Sequence, residues 1–280
     1  MLNLNGKSIL ITGCSSGIGL DCAKTLHAHG WTVFASCRQQ KDCNRLKMMG
    51  IEAPRLDHAD PVSITETIQY ILTKTNGKLD AVFNNGAFAV PGAVEDLPTD
   101  ALRSIYETNL FGYHEVIRQV IPIMRAQGKG KILNCSSVLG FVAIPWRGAY
   151  NSTKFALEGL TDTLRIEMRN TNINVILIEP GLIGTKIREN SIPHFERWVD
   201  WENSPRKKQY ETDLIKRLYQ PKNKPDAFEL PVSAVTKVVM KALESHHPKP
   251  RYYVTIPTHF MGLLRRILST RSLDWFISRL

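Results

Sequence analysis

A doubly wound, Rossmann-type α/β fold built on a parallel sheet is predicted by three features of the chain. Short apolar runs alternate with segments of helical periodicity, the pattern of repeated βαβ units. The first run, Ser8–Thr12, passes directly into a glycine-rich turn, Gly13-Cys14-Ser15-Ser16-Gly17-Ile18-Gly19. No Pro/Ser/Gly-rich linker interrupts the 280 residues. A single domain over residues 1–255 is therefore expected, with a lid insertion at 186–230 and a basic amphipathic extension at 256–280.

Ser8–Thr12 (Ser-Ile-Leu-Ile-Thr) is apolar without alternation, as a strand buried on both faces is. After the turn, Ile18, Cys22 and Leu26 keep helical spacing until Gly30. Strand, turn and helix in that order aim backbone N–H groups and the positive end of a helix dipole at one point, a seat for a pyrophosphate. Glycines at this spacing cost conformational entropy unless the backbone must approach something closely. Thr32–Ser36 is the second strand. At its end, where a site selective for NAD carries Asp or Glu for the ribose 2′-hydroxyl, stand Cys37 and Arg38. A carboxylate there repels a 2′-phosphate and an arginine can bind it, so NADP(H) is the expected cofactor; a solvated loop charge is the less favoured reading of Arg38.

Glu52–Leu56 reads as the third strand, ending at Asp57, which could meet an adenine amino group or cap the following helix, Pro61–Thr75. Leu79–Phe83 is the fourth strand and runs into Asn84-Asn85-Gly86-Ala87. Residues so small and polar let the backbone approach a ligand, or simply end a strand. Thr99–Gln127 reads as one long helix bent at Pro122, with Asn109 in its middle. Such an Asn marks a local irregularity or a functional hydrogen bond, or is merely exposed or backbone-bonded. Lys131–Ser136, Asn174–Glu179 and Arg251–Thr255 are the remaining strands, Pro180-Gly181 breaks the chain, and Pro231–Leu243 is a helix. From Lys186 to Pro231 no strand is evident, and Phe195, Trp198, Trp201, Tyr210 and Tyr219 mingle with charges. A connection that long predicts a substrate-covering lid with one or two short helices.

The formal net charge of +10 suits an anionic cofactor, a membrane surface or nucleic acid. Without zinc-finger spacing or an RNA-binding aromatic signature, nucleic acid is the least favoured of these. Five cysteines with no Cys-x-x-Cys pair, and no secretory leader pattern, read as reduced thiols in a cytoplasmic protein, with no metal expected. Between Met261 and Leu280, apolar residues trace faces between Arg265, Arg266, Arg271 and Arg279. That stretch could rest on an anionic membrane surface; a helix folded on the sheet or a dimer partner is the plainer expectation.

The chemistry-bearing residues converge after the fifth strand. Tyr150 and Lys154 are four apart, so on a helix they share a face. A phenol titrates near pH ~10 unless a cation stabilises its anion, and Lys154 could be that cation. Ser137, just past the strand, could bring a second hydroxyl to the same carbonyl oxygen.

In its ordered set of motifs the chain resembles the short-chain dehydrogenase/reductase family up to about Val254. The motifs are Thr12 to Gly19, Asn109, Ser137 thirteen residues before Tyr150, Tyr150 with Lys154, and Pro180-Gly181 with Thr185. The wording around them is similar to the branch of bacterial NADP-dependent aldehyde reductases and animal retinol and 17β-hydroxysteroid dehydrogenases. One departure is the order Gly86-Ala87 where the family has Ala-Gly. The resemblance implies hydride transfer between NADPH and a carbonyl or alcohol. It gives Tyr150 the proton, Lys154 the nicotinamide ribose, Ser137 the carbonyl oxygen, and Asn109 a relay water. It also implies that Gly13, Ser15, Ser16, Gly17, Ile18 and Gly19 line the pyrophosphate turn, with Arg38 at the 2′-phosphate, Asp57 and Asn85 along the adenosine, and Pro180, Ile183 and Thr185 at the carboxamide. A homodimer or homotetramer paired through the fourth and fifth helices is implied as well. Phe88, Val90, Phe141, Val142, Trp146 and the lid aromatics suggest an apolar aldehyde, ketone or alcohol as substrate. The rival expectation is a non-catalytic NADPH-binding sensor or scaffold on the same fold.

Overall fold

Six parallel strands, β1 (Ser8–Ile11), β2 (Thr32–Ala35), β3 (Ala81–Asn84), β4 (Gly130–Cys135), β5 (Ile173–Glu179) and β6 (Arg251–Tyr253), form one sheet in the order β2-β1-β3-β4-β5-β6. The computed structural model describes residues 6–220 and 224–279. The first five residues of the expected domain, 221–223 of the expected lid and Leu280 lie outside the described residues.

The uninterrupted apolar character of the strands has a direct cause: both faces are covered. Ile9 and Ile11 of β1 point into a core with α1 (Gly17–Ala28), while Leu10 points into the opposite core with α3 (Pro61–Lys74). Helix α2 (Gln40–Lys47), unforeseen in the sequence, adds only Cys43 and Leu46 to the first core. Two apolar positions in so polar a segment leave little periodicity to read.

The expected third strand is reduced to two bridges, Phe34 with Glu52 and Cys37 with Arg55. Pro54 has no N–H to donate, so the ladder cannot run through it. The expected long helix is three pieces: α4 (Thr99–Tyr106), a π-helical turn (Glu107–Phe111) and α5 (Gly112–Ala126). The irregularity therefore falls at Asn109, and Pro122 sits inside α5 without ending it.

Helix α6 (Gly148–Glu167) starts two residues before Tyr150. The lid holds α7 (Ile187–Trp198), α8 (Lys207–Gln209), a π turn (Tyr210–Ile215) and α9 (Lys216–Tyr219), more helix than expected. It is pinned where the Tyr210 hydroxyl donates to Asp96 (2.8 Å) and accepts from the Ala93 N–H (2.8 Å). After α10 (Val232–Glu244) and β6, helices α11 (Ile256–Ile267) and α12 (Thr270–Ile277) fold back so that Met261 and Leu273 bury against Val142. The strand order reverses between β1 and β3, and a ligand crevice in such a sheet opens beyond the strand ends at that switch.

Candidate active site

The floor of the crevice is a meeting of two backbones. A Cβ on Gly13 would stand 2.4 Å from the Gly86 Cα, and one on Gly19 would stand 2.5 Å from the Gly13 carbonyl oxygen. Gly13 also has φ +71°, a conformation that costs an L side chain energy. The Gly86-Ala87 order thus has a structural use: Gly86 packs on the first turn. Asn85 locks the same contact, donating its side-chain amide to the Thr12 carbonyl (3.0 Å) while its backbone N–H bonds the Thr12 hydroxyl (2.9 Å).

This cradle suits a dinucleotide. Ser16, which precedes α1, makes no side-chain cap and no acidic residue occupies the first turn of the helix, so its leading N–H groups face an anion site of favourable dipole. Gly17, at φ +58°, would bring a Cβ within 3.4 Å of Thr185, which places Thr185 opposite the turn that carries Ser15 and Ile18. Ile183 pairs with Leu230 at the base of the lid, and the Pro180 carbonyl accepts from the Val138 N–H at 2.9 Å, tying the two loops together. Arg38 is exposed at the end of β2. Asp57 accepts from the Ala59 N–H (3.1 Å), while the cap of α3 is Asp60, so of the two readings of Asp57 the helix cap does not hold.

Ser137, Tyr150 and Lys154 come together. Lys154 is buried and donates to the Cys135 carbonyl at 2.7 Å, so α6 is stitched to the end of β4 two residues before Ser137. A buried amide chain, Asn84 to Asn134 (3.0 Å) and Asn134 to Thr161 (3.0 Å), reinforces the stitch. The Leu139 N–H donates to Ser137 Oγ (3.1 Å), which leaves the hydroxyl hydrogen free to point elsewhere.

Burial pulls the Lys154 amine down to about 8, against the opposing influence of Cys135 and Glu158. Burial, then Cys135, push the Tyr150 phenol up, and the groups that draw it back are the Ser137 hydroxyl and Arg147. The Lys154 ammonium is turned to the Cys135 carbonyl and lies over the Tyr150 ring, 5.6 Å from its centre.

Asn109 is fully buried in the π turn, a device frequent at functional sites. Its amide nitrogen donates to the Phe88 carbonyl (2.9 Å) and Thr153 Oγ1 (3.3 Å), and its oxygen accepts from the Phe88 N–H (3.1 Å). With both amide hydrogens engaged, the side chain positions Phe88 and α6.

Phe88, Val90 and Trp146 share a cluster with Tyr150 and the lid residues Phe195, Trp198, Trp201 and Tyr210. Phe141 and Val142 do not: they pack on Tyr253 and the C-terminal helices, so they leave the set of substrate-lining candidates.

Three neighbours went unread in the sequence. Arg147, one residue before α6, has a buried Nη1 with no partner among the described residues, and burial with Arg217 and Arg188 brings its pKa to about 10. His58 donates Nδ1–H to the Gly86 carbonyl (3.1 Å), and burial drives it to about 4, so it is neutral. Tyr113 lies under the Lys154 ammonium, 5.3 Å from ring centre to Nζ. The only signal for Arg147 was its place one turn before Tyr150.

A family model described as short chain dehydrogenase matches residues 7–195. The chain is 35% identical over 268 residues, 96% of its length and 93% of the relative's, to an uncharacterized oxidoreductase, YbbO, of Escherichia coli. It is 30% identical over 272 residues, covering 96% and 94%, to a 3-amino-tetrahydro-pyrrolizinone reductase of Xenorhabdus hominickii. A crystal structure of a short-chain dehydrogenase from Streptomyces avermitilis superimposes with a TM-score of 0.78 at 26% identity, covering 98% of this chain and 97% of that one.

Proposed function

The chain belongs to the short-chain dehydrogenase/reductase family and is an oxidoreductase, and on that footing we propose that it moves hydride between NADP(H) and an apolar aldehyde, ketone or the matching alcohol. The observation that carries this reading is the grouping of Ser137, Tyr150 and Lys154 beside a cradle open to a dinucleotide. NADPH, when bound, supplies the hydride. Tyr150 gives its proton to the carbonyl oxygen in reduction and takes it back in oxidation. Ser137 donates its free hydroxyl hydrogen to the same oxygen. Lys154, with a pKa near the working range, holds or releases a proton beside the phenol and would hold the hydroxyls of the nicotinamide ribose. Arg38 would bind a 2′-phosphate, and Asp57 would meet the adenine.

The apolar substrate class rests on Phe88, Trp146 and the lid aromatics around Tyr150. Five buried, unlinked thiols fit a reducing compartment such as the cytoplasm. Pairing of copies into a homodimer or homotetramer is part of the same proposal. The test is consumption of NADPH and of NADH by purified protein offered neutral aliphatic, aromatic, retinoid and steroid carbonyls. Turnover of at least one class with NADPH preferred is expected; no turnover across the panel would remove the enzyme reading.

A further inference from the structure

Helix α11 has two unlike faces. Thr258, Met261 and Gly262 are buried, and Gly262 is required there because a Cβ would stand 2.7 Å from the Tyr253 ring. On the other side Ile256, Phe260, Leu263 and Ile267 are 74%, 48%, 54% and 65% exposed. At 3.6 residues per turn those four fall within an arc of about 60°, a continuous apolar stripe along the whole helix. Trp275 of α12 is likewise 59% exposed, and the Phe260 ring meets Phe276 of α12 at 6.0 Å. These five side chains expose on the order of 600 Å², the upper end of what a monomer leaves uncovered without a use for it.

The charge around the stripe is one-sided. Arg265, Arg266, Arg271 and Arg279 are all exposed, against the single acid Asp274. The Arg279 guanidinium lies 3.9 Å over the Trp275 ring, an arrangement suited to the polar–apolar boundary of a bilayer. Among the described residues no helix is long and apolar enough to cross a membrane. We propose that α11 and α12 dock the protein flat on an anionic lipid surface, with Ile256, Phe260, Leu263, Ile267 and Trp275 inserted and the arginines on the headgroups. A second copy of the chain fits less well, because the same surface on a copy carries the same excess of arginine over acid.

Docking this way has a consequence for the site, though it does not rest on the redox reading. The buried side of α11 packs on the loop after Ser137, at Val138, Phe141 and Val142, and Thr255 and Thr258 touch Gly181. One helix thickness, about 10 Å, then separates the lipid from the loop carrying Ser137, so an apolar substrate could pass to the site from the bilayer.

The test is flotation of the full-length protein with vesicles of phosphatidylcholine alone and of phosphatidylcholine with phosphatidylglycerol, at low and high salt. The comparison protein is Leu263→Glu/Ile267→Glu, two exposed positions whose change leaves the buried face intact; circular dichroism confirms its fold. A second variant, Arg266→Glu/Arg271→Glu, tests the charge. Binding to the phosphatidylglycerol vesicles, released by salt and weakened at least about tenfold in either variant, is expected. Failure of the folded wild type to float with these vesicles overturns the proposal, as does a Leu263→Glu/Ile267→Glu protein that floats as well as wild type. Sedimentation showing a dimer that this variant dissolves, with no vesicle binding, overturns it in favour of a second copy.

Discussion

Replacing Lys154 by Met should stabilise the fold near neutral pH while it disables the site. The wild-type amine is buried, and burial takes its pKa from the usual 10.5 to about 8, a displacement worth about 3 kcal/mol against the folded state. Met keeps the length and fills the same space, but it leaves the Cys135 carbonyl without the Nζ donor, a loss of about 1–2 kcal/mol. The net gain is about 1–2 kcal/mol, or roughly 2–6 °C in Tm. Its pH dependence is the sharper signature. Below pH 8 the amine is charged folded and unfolded, and wild type carries the whole cost. Between about 8 and 10.5 the folded chain has released the proton while the unfolded chain still binds it, so wild type gains stability as pH rises and the advantage of Met fades. Above that window only the missing hydrogen bond remains, and the variant becomes the weaker protein. Urea denaturation of both proteins across this range measures the difference. A variant less stable than wild type at pH 7, or a difference that does not change with pH, would refute the reasoning.

Other substitutions probe the rest of the site. Arg38→Asp should shift the NADPH-over-NADH preference toward NADH by about tenfold to a hundredfold, and an unchanged ratio of kcat/KM values would contradict its place at the 2′-phosphate. Gly13→Ala puts a Cβ 2.4 Å from Gly86 at φ +71°; left-handed strain and overpacking together cost about 2–5 kcal/mol, so a thermal scan that finds Tm undiminished would count against this contact. Arg147→Met removes a cation that draws the Tyr150 phenol down. The limb of the pH profile for alcohol oxidation set by the phenol should then move to higher pH, and a limb that stays in place would show that Arg147 does not act on it.

What could be read from the chain alone follows the physics of each part. The strands were legible because a parallel sheet covered on both faces demands unbroken apolar runs, and β1 supplies one residue pair to one core and Leu10 to the other. The glycine turn was legible because its cost has few explanations besides close backbone approach. Residues 52–56 misled because Pro54 sits in an otherwise strand-like run, and only the ladder shows where pairing fails. Asn109 announced an irregularity correctly, but which atoms its amide would satisfy depended on Phe88 and Thr153, distant in the chain. Arg147 and His58 were invisible for the same reason: what sets them apart is burial, which local sequence does not encode. Phe141 and Val142 looked like pocket lining because apolar residues near Ser137 have two possible neighbours, and the C-terminal helices claim them.

Tyr150→Phe tests most directly whether the Tyr150 phenol handles the proton in a hydride transfer. NADPH binding by calorimetry should be nearly unchanged while kcat on an accepted carbonyl falls by about a hundredfold or more. A phenylalanine variant that binds NADPH and still turns over at the wild-type rate would contradict that role.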